Sequence, residues 1–276
     1  NRPPMAPVRL LTFSTLFPHA ARPNHGIFVE NRLRHLLASQ QAASTVLAPV
    51  PWFPSPSARF GDWAVNARAP AAETRHGITI LHPRYPVLPK LGMSAAPWLL
   101  YRAMVPRVAD FLAQGHLFDA IDAHYVYPDG VAAVWLGRRF GLPVVITARG
   151  TDVNLIPRYR VPRWLIQGAI RDASALIAVS AALKQALVAL GAPPDKVTAL
   201  RNGVETDLFR PPADRTAGRS ALGLTGPTLI SVGGLIERKG HHRTIEAVRQ
   251  LPGFTLLIAG EGPERDRLSA LIAGHG

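Results

Sequence analysis

Two adjacent cations follow a glycine pair in the segment SVGGLIERKGHH, residues 231–242. Gly233 and Gly234 end an apolar run, and Arg238 and Lys239 precede a stretch with helical spacing. Glycines let a backbone approach a ligand closely, and helix N-termini attract anions. Because cations at an exposed helix N-terminus cost roughly 0.3 to 1 kcal/mol each, a phosphate-binding loop explains the pair better than an exposed turn. The spacing is neither a Walker loop nor a G-x-G-x-x-G fingerprint.

Two further loops carry polar side chains directly after predicted strands. In DAHYVYPDG (122–130), His124 lies at the end of a strand, where a catalytic histidine is often placed. In TARGTDVN (147–154), Arg149 and Asp152 follow the next strand. A lone histidine is more often structural, and Asp152 is also a good helix N-cap. Catalytic and structural interpretations of these residues therefore both remain open.

The loop after the first strand, TLFPHAARPNHGIF, is long and places Gly26 just before a predicted helix. A glycine there either permits a close approach to a ligand or serves as a turn residue at the helix entry. The loop alone does not decide between these two interpretations.

Strands and helices alternate along the chain and must position these loops. Val8 to Ser14 has the apolar and β-branched content of a buried strand, and Phe28 to Ser39 follows with helical spacing. Further strands are predicted at Thr45–Val50, Ile78–His82, Ala120–His124, Val144–Ala148, Ala175–Ser180 and Val197–Leu200. This alternation predicts an α/β fold with a doubly wound, mostly parallel sheet, whose ligands bind at the carboxyl ends of the strands.

The composition changes after Asn202 and Gly203. Residues 205–227 contain three prolines and three glycines and indicate a linker with one short helix. A second β-α-β-α set follows, at 228–232, 243–250, 254–259 and 264–273. We therefore predict an N-terminal domain over 1–210 and the start of a second domain over 211–276. Since open parallel sheets usually have about four to six strands, we expect this second domain to be truncated.

The composition is that of a globular protein. Of 276 residues 47% are hydrophobic, and no apolar run approaches the length that spans a bilayer. The N-terminal residues lack the order of a secretory signal, so we expect a cytoplasmic location; residues 1–4 (NRPP) are left out of the fold prediction. The absence of cysteine excludes disulfides and thiolate metal sites.

The formal net charge of +13 raises the alternative of a basic nucleic-acid-binding protein. Only four of the 31 basic residues are lysine, and the arginines are scattered singly or in pairs. No long basic run or Arg/Gly/aromatic tract is present. A general arginine bias explains the charge better, and we predict no nucleic-acid partner.

Taken together, the motifs resemble those of the retaining nucleotide-sugar glycosyltransferases of family 4, which have the two-domain GT-B fold. The resemblance rests on five segments in the family's order: DAHYVYPDG, TARGTDVN, NGVETDLFRP, VGGLIERKG and AGEGP. It covers nearly the whole chain. It implies two Rossmann-like domains that face each other across a cleft, with the acceptor held by the first domain and the nucleotide sugar by the second.

The resemblance also implies roles for individual residues. Lys239 and Arg238 would bind the leaving diphosphate, and the other donor-binding positions would be Gly233, Gly234, Glu261 and Gly262. His124, Arg149 and Asp152 would form the catalytic set, and Gly26 would belong to a loop near the acceptor. No metal and no cofactor besides the nucleotide-sugar donor is expected.

Departures from the family's pattern affect three of its functional positions. Gly234 replaces an arginine that binds phosphate in the family, and Arg238 is expected to substitute for it. Arg149 replaces a histidine and cannot act as a general base near neutral pH. The family's Glu-x7-Glu segment, which contacts the sugar and ribose, would lie beyond residue 276.

The predicted partners are a nucleotide-diphosphate sugar and a glycan or lipid-linked acceptor, as in cell-envelope polysaccharide biosynthesis. The segment PWLLYRAMVPRVADFL (97–112) combines aromatic and apolar residues with arginines, a composition that suits either a peripheral contact with the inner membrane face or a helix facing the core. A nucleotide-sugar epimerase of the same fold is the alternative enzyme.

Overall fold

The predicted alternation of strands and helices is present in the computed structural model, which describes residues 6–87 and 92–274. Residues 1–4, left out of the sequence-based prediction, lie outside the described residues. The chain divides into two compact units, Asn1–Gly203 and Val204–Gly276. The domain limits drawn from the sequence, 1–210 and 211–276, remain a prediction.

The first unit contains a large sheet of eight strands. Its strands and those of a small second sheet are β1 (Val8–Phe13), β2 (Ala42–Leu47), β3 (Val50–Pro51), β4 (Ala72–Arg75), β5 (Ile78–Leu81), β6 (Arg84–Tyr85), β7 (Ala120–His124), β8 (Val144–Ala148), β9 (Ala175–Ala178) and β10 (Val197–Ala199). The order in the large sheet is β10-β9-β8-β7-β1-β2-β5-β4, with every pair parallel except β4 and β5. β3 and β6 form the small parallel pair.

Within residues 6–87 and 92–203, seven helices belong to the first unit: α1 (Ile27–Ala38), α2 (Asp62–Ala67), α3 (Gly92–Ala113), α4 (Val131–Phe140), α5 (Thr151–Asn154), α6 (Arg160–Asp172) and α7 (Ala181–Ala189). Two apolar clusters flank the sheet. Val46 belongs to the cluster under α1, and its neighbour Leu47 belongs to the larger cluster that includes α3, α4 and α6. Successive side chains of a strand point to opposite faces, so the sheet is buried on both faces.

β1 lies at the centre of this sheet, between β2 and β7. The chain moves outward from β1 in one direction through β2 and then returns to add β7 on the other side. Such a reversal of strand order creates a crevice at the carboxyl ends of the two strands, where ligands of doubly wound sheets bind. The loops that begin at Ser14 and Tyr125 border this crevice.

The observed strands differ from the sequence-based prediction at β2 and β3 and at the unpredicted strands β4 and β6. β2 ends at Leu47 and β3 begins at Val50, whereas one strand was expected over Thr45–Val50. Pro49 lies between the two and lacks a backbone N–H, which interrupts strand pairing. The antiparallel edge strand β4 was missed because its sequence, AETR, is short and polar.

In its described residues, 204–274, the second unit contains a parallel pair of strands with three helices. Its elements are α8 (Arg215–Ala221), β11 (Thr228–Val232), α9 (His241–Val248), β12 (Thr255–Ala259) and α10 (Arg265–Ala273). Leu235, Ile245 and Leu268 form its core. The short helix predicted within residues 205–227 is α8, which Asp214 caps by accepting hydrogen bonds from two backbone amides.

Candidate functional site

His124, the last residue of β7, is buried and engaged at both ring nitrogens. Its Nε2 lies 3.1 Å from Oδ2 of Asp122, and its Nδ1 lies 2.7 Å from Nη2 of Arg149. A guanidinium can only donate, so Nδ1 accepts and Nε2–H donates to the carboxylate. The ring is therefore held in its neutral Nε2–H tautomer. In this arrangement it has no lone pair left with which to take a proton from a substrate.

Burial sets the electrostatics of this cluster. Desolvation lowers the pKa of His124, and the charges of Arg149 and Arg32 lower it as well. These three effects outweigh the raising effect of Asp122 on the same pKa. Burial alone would raise the pKa of Asp122, but the hydrogen bond from His124 and the two guanidiniums bring it below its ordinary value. At neutral pH the cluster thus consists of a neutral imidazole between a carboxylate and a guanidinium.

Arg149 is the cation that this cluster holds in place. Its Nη1 donates to Oδ1 of Asn202 at 3.1 Å, and its guanidinium lies 4.9 Å from the ring centroid of Phe28. Burial lowers the pKa of Arg149 to about 10, with Arg32 as the second cause, and the side chain remains charged at neutral pH. Its Nε is buried without a hydrogen-bond partner in the described part of the chain.

Asp152, in the first turn of α5, joins the loops after β7 and β8. Its carboxylate accepts from the backbone amides of Val126 at 2.7 Å, Gly150 at 2.7 Å and Arg149 at 3.1 Å. The side chain is fully buried. This geometry fixes the backbone next to Arg149.

Asp129, which the sequence analysis did not select, joins the loop after β7 to the loop after β1. It accepts from the backbone amide of Thr15 at 2.8 Å and from its hydroxyl at 2.9 Å, with Ser14 Oγ at 3.4 Å. Burial raises the pKa of Asp129 to about 7 against the lowering effect of these hydrogen bonds. The only sequence signal was an acidic residue in PDG just after a strand.

Gly26 lies at the end of the loop that begins at Ser14, immediately before α1. Its φ is 68°, and a Cβ there would lie 2.2 Å from the carbonyl oxygen of Leu16. The glycine is thus required by the backbone of the loop itself. The ligand-related role of Gly26 remains a prediction.

Two glycine-rich loops lie side by side in the second unit, at the carboxyl ends of β11 and β12. The amide of Gly233 donates to the carbonyl of Ala259 at 3.0 Å, and that of Leu235 donates to Glu261 at 2.8 Å. Gly262 has a φ of 156°, and a Cβ there would lie 2.4 Å from the carbonyl oxygen of Leu235. Glycine is therefore a steric requirement where these loops cross.

Lys239 and His241 contact the first of these loops. A Cβ on Gly233 would lie 3.7 Å from Cδ of Lys239, so the lysine side chain passes over this glycine. Arg238 and Lys239 form the turn before α9, whose first residue is His241. The imidazole of His241 is buried and donates from Nε2 to the carbonyl of Gly234 at 3.3 Å, while Nδ1 lies 2.9 Å from Oγ of Ser231.

The structure thus gathers the selected residues into two groups. His124, Arg149 and Asp152 are neighbours in the first unit, and Gly26 lies on a loop of the same sheet edge. The selected residues of the second unit, Gly233, Gly234, Arg238, Lys239, Glu261 and Gly262, lie on or beside the two crossing loops. Their catalytic and donor-binding roles remain predictions. The sequence analysis did not select His241 as a site residue, although it follows directly on the turn that contains Arg238 and Lys239.

The doubly wound sheet of the first unit and the paired glycine loops of the second lie in two regions that each match a known protein family. Residues 27–208 match the model of Glycosyltransferase Family 4, and residues 214–276 match that of Glycosyl transferases group 1. The chain belongs to glycosyltransferase family 4, as the resemblance of its motifs indicated.

Individual proteins are similar to the chain in sequence or in fold. The glycosyltransferase TuaC of Bacillus subtilis (strain 168), named for teichuronic acid biosynthesis, is 26% identical over 269 residues, which are 95% of this chain and 68% of that protein. The sucrose-phosphate synthase of Thermosynechococcus elongatus has a TM-score of 0.67 at 16% identity, over 98% of this chain and 68% of that one. Anabaena HepE in complex with UDP has a TM-score of 0.62 at 18% identity, over 98% and 66%.

These likenesses confirm the predicted fold class, an α/β protein of GT-B type. In each case the chain spans about two thirds of the length of the protein that it matches.

Proposed function

We propose that this protein is a retaining glycosyltransferase that moves a sugar from a nucleotide-diphosphate sugar to a glycan or lipid-linked acceptor. The observation that carries the proposal is the pair of crossing glycine loops in the second unit, with Lys239 lying over Gly233. Glycines, backbone amides and a mobile cation at the carboxyl ends of parallel strands suit a diphosphate.

In the second unit, the donor's diphosphate would lie against the loop that starts at Gly233. Lys239, with Arg238 beside it, would neutralise the negative charge that develops on the diphosphate as the bond to the sugar breaks. Buried His241 supports the same loop, because its Nε2 donates to the carbonyl of Gly234. Its role is therefore to position the loop.

In the first unit, Arg149 is the residue best placed to act on the transferred sugar or its phosphate. His124, Asp122 and Asn202 fix its guanidinium through direct or relayed hydrogen bonds. We assign His124 a positioning role, because both of its ring nitrogens are engaged with protein groups. A fixed cation stabilises transition-state charge without reorganisation, which is how electrostatic catalysis operates.

The test is a screen of UDP-, GDP- and ADP-sugars with candidate acceptors, following nucleotide release and product mass. Lys239→Ala should weaken nucleoside-diphosphate binding by roughly ten- to hundredfold, the equivalent of one charged hydrogen bond. Arg249→Ala, at the opposite end of α9, is the matched control and should leave affinity unchanged. Equal affinity of both variants would remove the proposed diphosphate site.

An acceptor-independent change of the sugar's stereochemistry would instead favour the epimerase alternative.

The acceptor part of the proposal is supported by an aromatic and basic surface on α3, α4 and α6. Trp98 is 54% exposed and Trp164 71% exposed, and the guanidinium of Arg102 lies 5.7 Å from the ring centroid of Trp98. Trp135 and Arg138 line two adjoining depressions of this surface, of about 460 and 210 Å³. Tryptophan and arginine together suit the interface of an anionic membrane, where a lipid-linked acceptor would be presented.

Only some side chains of the segment 97–112, whose composition suggested a membrane contact, are exposed. Leu100 and Met104 of α3 are fully buried in the core, whereas Trp98 and Arg102 are exposed. The exposed Trp98 and Arg102 support our proposal of a peripheral contact at the cytoplasmic face. Among the helices that the structure describes, none combines the length and apolar character needed to cross a bilayer.

Vesicle sedimentation tests this contact. The chain should bind phosphatidylglycerol vesicles at low salt and lose most of this binding in Trp98→Ser/Trp164→Ser. Trp52→Ser removes an equally exposed tryptophan that lies outside the two depressions and serves as the control. Binding that is insensitive to the double substitution, or absent at low salt, would rule out the proposed surface.

A further inference from the structure

The first two turns of α1 bring a phenylalanine and an arginine to the end of β8. Phe28 and Arg32 are four positions apart, so they lie on the same side of the helix. The Cζ atom of Arg149 lies over the ring of Phe28, 4.9 Å from its centroid, and Nη1 of Arg32 donates to Oγ1 of Thr147 at 2.9 Å. Thr147 and Arg149 therefore both have a partner on α1.

α1 is anchored in the first unit, so the fold sets the position of the Phe28 ring. Val29 and Leu33 of this helix are buried in the apolar core. The carboxylate of Glu30, which is also buried, lies 2.6 Å from Nε of Arg75 on β4. A ring carried by such a helix can hold a more mobile side chain in place.

The contact between Phe28 and Arg149 joins two separate elements, the start of α1 and the loop after β8. Other contacts of this kind in the described part of the chain join close neighbours in sequence: Arg59 with Phe60, Arg102 with Trp98 and Arg139 with Phe140. A guanidinium is attracted to the face of an aromatic ring, more strongly where water is excluded. Phe28 is 38% exposed and Arg149 is partly buried, so this attraction exceeds that of a fully exposed pair.

The hydrogen bonds of Arg149 hold only the edges of its guanidinium. Nη2 donates to His124 and Nη1 donates to Asn202, whereas Nε has no hydrogen-bond partner among residues 6–87 and 92–274. Asn202 is exposed, so water competes for its side chain. Two in-plane hydrogen bonds still allow the group to tilt about the line that joins their acceptors. A ring against the face of the guanidinium opposes this tilt.

Arg32 acts on Arg149 in the opposite sense to Phe28. Burial lowers the pKa of Arg149 to about 10, and the charge of Arg32 is the second cause. The two like charges thus repel each other. Arg32 is tied to buried Thr147, so the displacement would fall on Arg149. The attraction of the Phe28 ring opposes this displacement.

We propose that Phe28 is a positioning residue of the glycosyltransferase reaction, which holds the guanidinium of Arg149 in place beside His124. The inference rests on the proposed function of Arg149 and adds a residue outside the five motif segments. It also explains how this chain accommodates an arginine at position 149, where the family has a histidine. The larger cation has a ring as the partner of its face.

The first test follows the guanidinium by NMR, on the whole 276-residue chain and without a donor. Nε of Arg149 is buried, which slows the exchange of its proton with water, and Arg149→Lys identifies the signal. A proton over an aromatic ring is shifted upfield. This shift should be lost in Phe28→Leu and kept in Phe28→Tyr. Ile27→Ala truncates a neighbouring side chain of nearly equal exposure, 39%, and is the matched control that should keep it.

The second test measures turnover with UDP-glucose, GDP-mannose and ADP-glucose and candidate acceptors. Phe28→Leu should lower the turnover number roughly five- to thirtyfold, the equivalent of one partly desolvated contact between a cation and a ring, and leave the KM for the donor unchanged. Phe28→Tyr should restore turnover, because it keeps the ring. In the background Arg149→His, Phe28→Leu should cause no further loss, since no guanidinium remains to be held. Phe28→Met replaces Phe28→Leu should that variant fold poorly.

Two results would overturn the inference. An Nε proton signal of Arg149 that is identical in the native chain and in Phe28→Leu would show that the ring does not hold the guanidinium. Equal losses of turnover from Phe28→Leu with Arg149 and with Arg149→His would show that Phe28 acts independently of this arginine. If none of the three donors is turned over, the proposed glycosyltransferase function fails on its own assay. The NMR measurement then still decides whether Phe28 holds Arg149.

Discussion

The buried carboxylate of Asp129 should make the stability of the first unit fall as pH rises. The pKa of Asp129 is about 7 in the folded chain because of its burial, against 3.8 for an ordinary aspartate. Between these values the folded state binds a proton that the unfolded state has lost, so the free energy of unfolding decreases with increasing pH. At about 1.4 kcal/mol per pH unit, the loss between pH 5 and pH 7 is roughly 3 kcal/mol.

Asp129→Asn isolates this contribution. An asparagine can accept from the amide of Thr15 with its oxygen and donate to the hydroxyl of Thr15 with its nitrogen, so the link between the loops is kept. Urea unfolding of both proteins at intervals from pH 5 to pH 8 gives the difference in their free energies of unfolding. That difference should move by roughly 3 kcal/mol in favour of the variant as pH rises and level off above pH 7.

Asp110→Asn, which removes an exposed carboxylate on α3, is the control and should give a curve parallel to that of the native chain. If the curve for Asp129→Asn is also parallel to the native one, the carboxylate titrates normally in the folded state. The argument from burial would then be wrong for this residue.

Three further outcomes are expected. Gly26→Ala should lower the free energy of unfolding in urea by roughly 1 to 3 kcal/mol, because a methyl group there would lie 2.2 Å from a backbone carbonyl oxygen. Gly115→Ala is the control, with a φ of 85° and open space around it, and should lower it by about 1 kcal/mol or less. His124→Ala should lower turnover at least tenfold without changing the KM for the donor, and normal specific activity of the folded fraction would contradict its positioning role. Gly262→Ala should weaken nucleoside-diphosphate binding, measured by calorimetry, because the loop must move away from Leu235; unchanged affinity would separate the loop from the donor site.

The large sheet could be predicted because its inner strands are buried on both faces. Such strands are short runs of apolar and β-branched residues, and ITARG or LIAVS are hard to interpret in another way. The strand AETR carries no such pattern, because it lies at an edge and pairs antiparallel with β5. Sequence propensity and hydrophobic periodicity indicate a strand only where its side chains are buried. The side chains of this edge strand alternate between exposed and partly buried, so its sequence lacks that signal.

The candidate site was predictable where its chemistry is local in sequence. Gly233 and Gly234 stand within a few residues of Arg238 and Lys239, and this spacing predicts an anion site. The hydrogen bonds between Asp129 and Thr15 join positions 114 residues apart, and no local pattern reports them. The hydrogen bonds of the His124 ring also changed the interpretation of this residue. Only the structure reveals that Asp122 and Arg149 engage both ring nitrogens.

The crossing of the two loops in the second unit limits how this protein can be re-engineered. A Cβ on Gly260 would lie 1.9 Å from the carbonyl oxygen of Gly233, so the obstacle is main chain. No compensating side-chain substitution can remove a carbonyl, and a library that varies residue 260 would consist largely of misfolded variants. Glu261, between two constrained glycines, has an exposed side chain. Directed evolution of the proposed nucleotide site should therefore diversify position 261 and keep its two neighbours constant.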